Sequence, residues 1–216
     1  VSAAPWIPLE RLDALPLVHR WNDDNPFRVI AHADDAVAAR CERLSVRARL
    51  GFTLACAEWV LARFRRHHAN ERPARYAEAL WAGLVDPAFA ELRAEVLDDD
   101  TGAILGPIDL ALGTATEAFR SHDPTDAAFA SALARHVLGA GLELPPERAS
   151  ALRAFDEWQE ACLARLERHH PVGTNRAVSR EGFGIDLEAH EESRLVSRFL
   201  RRLDAAKNPF LVPTRH

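Results

Sequence analysis

One carboxylate and four histidines are the residues in this chain best placed to do chemistry. Glu58 is the single formal charge in Leu50-Gly51-Phe52-Thr53-Leu54-Ala55-Cys56-Ala57-Glu58-Trp59-Val60-Leu61-Ala62. A carboxylate in such surroundings must be paired, protonated or lining a pocket, because an isolated charge cannot be buried cheaply. The plainest reading is a buried pair with one of the many arginines. The functional alternative makes Glu58 a pocket acid or base. His67-His68 and His169-His170 close two similar blocks, Leu61-Ala62-Arg63-Phe64-Arg65-Arg66-His67-His68 and Leu163-Ala164-Arg165-Leu166-Glu167-Arg168-His169-His170. Adjacent helical residues point about 100° apart, so one pair cannot chelate a metal alone. Two pairs brought together could supply imidazole ligands, which makes His67, His68, His169 and His170 the candidate metal set. The simpler reading is two helix C-termini, where partly charged imidazoles suit the dipole.

Other chemistries find less footing. Glu167 and His170 have the Glu-x-x-His spacing of dimetal bundles, but Arg65 stands where the first block would need its Glu. Glu188-Ala189-His190-Glu191 has the residues of a zinc-protease helix without its spacing, and no Gly-x-Ser-x-Gly occurs. Cys41, Cys56 and Cys162 are widely spaced in apolar helical contexts and read as small buried hydrophobes in a reducing compartment. The stretch from Gly173 to Gly184 has a binding-loop composition but lacks the Walker spacing, and reads as an interhelical loop. Asp98, Asp99 and Asp100 form a solvated acidic loop with no second aspartate-rich motif. No cofactor is expected, and Glu58 is the only catalytic candidate.

The element that must position Glu58 is a long helix. Cys41, Leu44, Ala48, Phe52, Ala55, Trp59 and Ala62 form one apolar stripe; Leu50, Leu54, Ala57, Leu61 and Phe64 form another. A helix apolar on most of its circumference is buried. We expect it to start at Asp34 or Asp35, to kink or meet a neighbouring helix at Gly51, and to close at Asn70 and Pro73. Further helix starts fall at Pro73, Asp86-Pro87, Gly106-Pro107, Asp123-Pro124, Pro145-Pro146 and Asp186. No segment has a convincing period-two strand pattern. The expected fold is all-α: a single compact domain of about eight helices around a long buried central helix. A proline-rich arm, 1–33, should pack on the helical domain, 34–216, through Trp6, Ile7, Leu17, Val18, Trp21 and Phe27. The two similar blocks raise a duplication of 34–105 and 106–216 as an alternative to coincidence.

Composition narrows function. The 216 residues are 48% hydrophobic, enough for a substantial core, and carry 27 basic against 32 acidic residues. That balance gives no basic excess for nucleic acid. The apolar run falls short of the roughly 20 residues of a membrane span. Lys207 is the only lysine. The Arg- and Ala-rich usage points to a GC-rich bacterial genome, so arginine clusters are not read as phosphate sites. With no catalytic constellation in view, the expected function is binding to another protein in the cytoplasm, as an immunity-type, adaptor or accessory module. Arg194, Arg198, Arg201 and Arg202, with Asp98, Asp99 and Asp100, are the candidate partner-binding residues, and loop 171–185 a further contact. The alternative is a helical enzyme, or a small-ligand or metal-binding protein, with an interior pocket around Glu58.

Overall fold

A computed structural model describes residues 3–16, 19–28, 30, 33–89, 102–139, 146–183 and 185–212. Among them are eight α-helices and no strand: α1 (Leu9–Asp13), α2 (Asp35–Glu42), α3 (Val46–Phe64), α4 (Arg72–Val85), α5 (Gly102–Ser121), α6 (Pro124–Leu138), α7 (Pro146–His169) and α8 (Ala189–Arg202). The helix α3 is the centre of the fold, touched by α1, α4, α5 and α6 and, through Phe155 and Trp158, by α7. Every residue from Leu50 to Phe64 is buried, including Glu58 and Arg63. An apolar circumference covered on all sides is what the two stripes anticipate. None of the described helices is long and apolar enough to cross a membrane.

The expected single helix from Asp34 to about Asn70 is corrected: the chain breaks between α2 and α3, and α3 ends at Phe64. Ser45 adopts an extended conformation and its Oγ accepts the Ala48 N–H at 3.3 Å, the geometry of an N-cap. The groups that the break frees are taken by the chain leaving α7. Ser45 N–H donates to the His170 carbonyl at 2.8 Å, and Val172 N–H donates to the Arg43 carbonyl at 2.9 Å. Gly51 lies inside α3 and does not end it. A Cβ there would lie 2.7 Å from Phe183 Cε2 and 2.9 Å from Val178 Cγ1, so the close approach is by segment 171–185, not by a helix.

Several boundaries also move. The helix α5 starts at Gly102, ahead of the expected Gly106-Pro107, and carries Pro107 inside it. The helix α8 starts at Ala189, where Glu191 Oε2 accepts the Glu188 N–H at 3.0 Å. Asp186, the expected cap, accepts from His169 instead. Past a 3-10 turn at Pro87–Phe89, the helix expected through Leu97 lies outside the described residues, as do Asp98, Asp99 and Asp100.

The N-terminal arm packs on the body as expected except at Phe27, which meets the Phe129 ring but is 64% exposed. Trp6 stacks on Trp158 with ring centroids 5.1 Å apart, and Trp158 stacks in turn on Phe52 of α3. Leu12 and Leu15 are buried. Trp21 lies so close to Gly106 that a Cβ there would fall 2.3 Å from its Nε1. Leu17 and Val18 are outside the described residues.

Candidate functional site

Glu58, Leu61, Ala62 and Arg65 follow one another at helical spacing and so share a face, with roughly 10 Å of helix between the first and the last. That face forms one wall of a cleft of about 540 Å³. Leu9 of α1 and Ala74 and Ala77 of α4 complete the apolar sides, Arg180 joins Glu58 at the floor, and Arg66, His68, Asn70 and Glu71 stand around the mouth. Alanines at 62, 74 and 77 leave the space: each places a methyl where a longer side chain would fill the gap.

The floor is a buried ion pair. Glu58 Oε1 accepts Arg180 Nε at 2.6 Å and the Trp81 indole N–H at 3.2 Å; Oε2 accepts Arg180 NH2 at 3.1 Å. Glu58 is 4% exposed and Arg180 7%. The sequence reading of a buried Glu–Arg pair therefore holds. Burial disfavours the Arg180 charge, but the Glu58 carboxylate outweighs that and raises its pKa above the ordinary arginine value. Arg180 is fixed from both sides. Its carbonyl accepts the Trp6 indole N–H at 3.0 Å, and Phe183, three residues on, packs edge-on to Trp81 and onto Gly51. With Arg180 and Trp81 on its oxygens, Glu58 keeps one lone pair on Oε2 that can accept a hydrogen bond.

The mouth is electrostatically different. Arg65 and Arg66 converge on one oxygen of Asp13, Arg66 at 2.9 Å. Glu71 is engaged by Arg75 at 2.6 Å, and Asn70 Oδ1 caps the Arg72 N–H at 2.9 Å. Two guanidinium groups thus share a single carboxylate where the cleft opens.

The remaining candidates do not gather here. His68 reaches the mouth and His67 is exposed. His169 hydrogen-bonds Asp186 at 2.7 Å, and this bond holds the Asp186 carboxyl below the usual carboxylate range. His170 is buried, with Nε2 3.5 Å from Glu192 Oε2. Glu167, of the Glu-x-x-His spacing, is taken by Arg40 at 2.9 Å. Among the described residues no group of three or more His, Cys, Asp or Glu side chains is arranged to hold a metal. All three cysteines are buried free thiols. Burial pushes Cys41 and Cys162 up to about 12 and Cys56 well above its ordinary value, which makes them inert. Arg194, Arg198, Arg201 and Arg202 are exposed on α8; Arg202 pairs with Glu181. In loop 171–185, Val178, Ser179, Arg180 and Phe183 are buried, so 178–183 straps the body, while Ile185 is exposed.

Sequence reasoning missed Arg180, Trp81, Asp13 and Arg65. Arg180 lay in a segment singled out for composition, but 122 residues separate it from Glu58 and nothing local marks it among the other arginines. The signal at Arg65 was its seven-residue offset from Glu58, which puts both on one helix face.

No family model matches the chain, and neither a curated protein nor a solved structure does.

Proposed function

We propose that this protein works by binding, and that a small molecule held in the cleft between α1, α3 and α4 is its ligand. The supporting observation is the union of a polar floor and apolar sides in one concavity: Glu58 and Arg180 below, Leu9, Leu61, Ala62, Ala74 and Ala77 around. Its volume of about 540 Å³ falls within the range of small-ligand sites. Binding fits better than catalysis because Arg180 pairs with both Glu58 oxygens and Trp81 adds a third hydrogen bond, which fixes the carboxylate and leaves Oε2 one lone pair to orient a ligand. The test is a thermal-shift screen of metabolites against the parent chain and Ala74→Trp, which fills the cleft from a half-buried position. A compound that raises the Tm of the parent alone supports the reading. Compounds that stabilise both proteins equally, or a broad panel that stabilises neither, defeat it.

A second reading, an immunity-type, adaptor or accessory protein of a bacterial cytoplasm, draws on α8. Phe199 is buried on its inner face while Arg194, Arg198 and Arg201 are exposed. Arginine is a favoured interface anchor, and such a row suits an acidic partner. Charge reversal of these three residues to Glu should abolish capture of a partner that the parent retains. Undiminished capture would remove α8 from consideration.

A further inference from the structure

We infer that the cleft takes an elongated apolar molecule ending in one anionic group, with that group resting on Arg65 and Arg66; this depends on the cleft being a binding site at all. Charge is unevenly balanced along the cleft. At the floor Glu58 and Arg180 neutralise each other. At the rim Glu71 is engaged by Arg75. Arg65 and Arg66 are left with Asp13, one negative charge against two positive. The imbalance is local and lies where a ligand would enter.

Geometry agrees with this imbalance. Both arginines approach Asp13 through NH2, on the same carboxylate oxygen. A guanidinium carries five N–H donors in a planar fork, so each keeps donors to offer a second anion. The Asp13 side chain is 13% exposed, whereas those of Arg65 and Arg66 are 37% and 61% exposed, so an incoming group meets the cations first. Between mouth and floor the wall is Leu61 and Ala62, with Leu9 and Ala77 opposite, and it offers no charge to a chain lying along it. The span from Arg65 to Glu58 is roughly 10 Å by helical rise. A long apolar stem is therefore solvated by the cleft and a polar head by its entrance. Carboxylates and phosphate monoesters share the chemistry that guanidinium groups recognise.

Asp13 becomes a resident competitor. It belongs to α1, the same short helix that supplies Leu9 to the wall. An anion binding at Arg65 and Arg66 either joins Asp13 or displaces it, and removing the Asp13 charge favours both.

The experiment is calorimetry with octanoate, octyl phosphate, octanol and octylamine on the parent, Ala74→Trp, Arg65→Gln/Arg66→Gln and Asp13→Asn. At least one anion should bind the parent about tenfold or more tighter than octanol. That preference, read as the ratio of octanol Kd to anion Kd within each variant, should vanish in the double arginine variant and should grow in Asp13→Asn. Whichever anion binds tighter names the head group. Octanol binding as tightly as both anions, or an anion preference that survives loss of both arginines, overturns the inference. The cleft reading then stands if octanol binding is lost in Ala74→Trp. Failure of all four compounds to bind the parent also overturns the inference, and leaves the cleft to the wider metabolite screen.

Discussion

The ends of α3 and α7 carry nearly the same eight residues, yet the fold treats them differently. Their third positions behave alike: Arg63 and Arg165 are both buried, each with its guanidinium 5.5 Å from the centre of an aromatic ring, Phe64 in one case and Phe183 in the other. Three residues ahead of each block stands a glutamate, and there the likeness stops. Glu58 is sealed against Arg180 and Trp81. The Glu160 side chain is 71% exposed and reaches out to Arg40 at 2.6 Å. The closing histidines diverge too, His68 lining the cleft and His170 buried against Glu192. The reason lies outside the blocks. Five helices and the 178–183 strap cover α3, α7 among them through Phe155 and Trp158, whereas α7 keeps an open side at Glu160. Local spacing decides which side chains share a face; the neighbours decide whether that face meets water.

The sharpest test of this contrast removes the two glutamates in turn. Glu58→Gln removes the carboxylate that Arg180 is paired with in the interior and should cost about 3–5 kcal/mol in urea unfolding. Glu160→Gln, the smallest effect expected here, should cost less than about 1 kcal/mol, because its pair is exposed and screened. Equal losses would erase the distinction. Next in size, Gly51→Ala drives a methyl into Phe183 and Val178 and should destabilise by up to about 3 kcal/mol. Gly113→Ala, in α5 with nothing within 4 Å of its added Cβ, should instead gain about 0.5–1 kcal/mol. On the α7 side, Glu192→Gln should cost roughly 1.5 kcal/mol at neutral pH, a charged hydrogen bond to Arg176 being lost. Burial pushes the Glu192 carboxyl up, but His170 and Arg176 outweigh it and hold the folded pKa below the ordinary value. A lowered folded pKa gives stability that is present above the unfolded value of about 4.3. The gap between parent and Glu192→Gln should therefore narrow as pH falls below that value and through the lowered one. A gap that widens in acid would contradict the assignment.

Much of the scaffold was legible because Leu50 to Ala62 is apolar on every side, a pattern only a surrounded helix satisfies. The type of Glu58's partner was legible for the same reason; its identity was not, since Arg180 comes from a distant segment. The break at Ser45 was hidden because its cap succeeds only with His170 and Pro171 folded back beside it, and that pairing is tertiary. The cleft was hidden more deeply. Ala62, Ala74 and Ala77 read as ordinary helix formers, and an empty volume is a property of what several helices jointly leave out. The arginine row of α8 was visible as a row, but Arg202's bond to Glu181 was not.

The indole of Trp81 donates its hydrogen bond to the same oxygen of Glu58 that Arg180 Nε grips. An excited indole is sensitive to the charge at the end of such a bond, so its emission colour follows any change in that carboxylate's surroundings. The chain thereby carries a built-in optical gauge at the bottom of its own cavity, readable in a variant whose other four tryptophans are replaced, with no label attached.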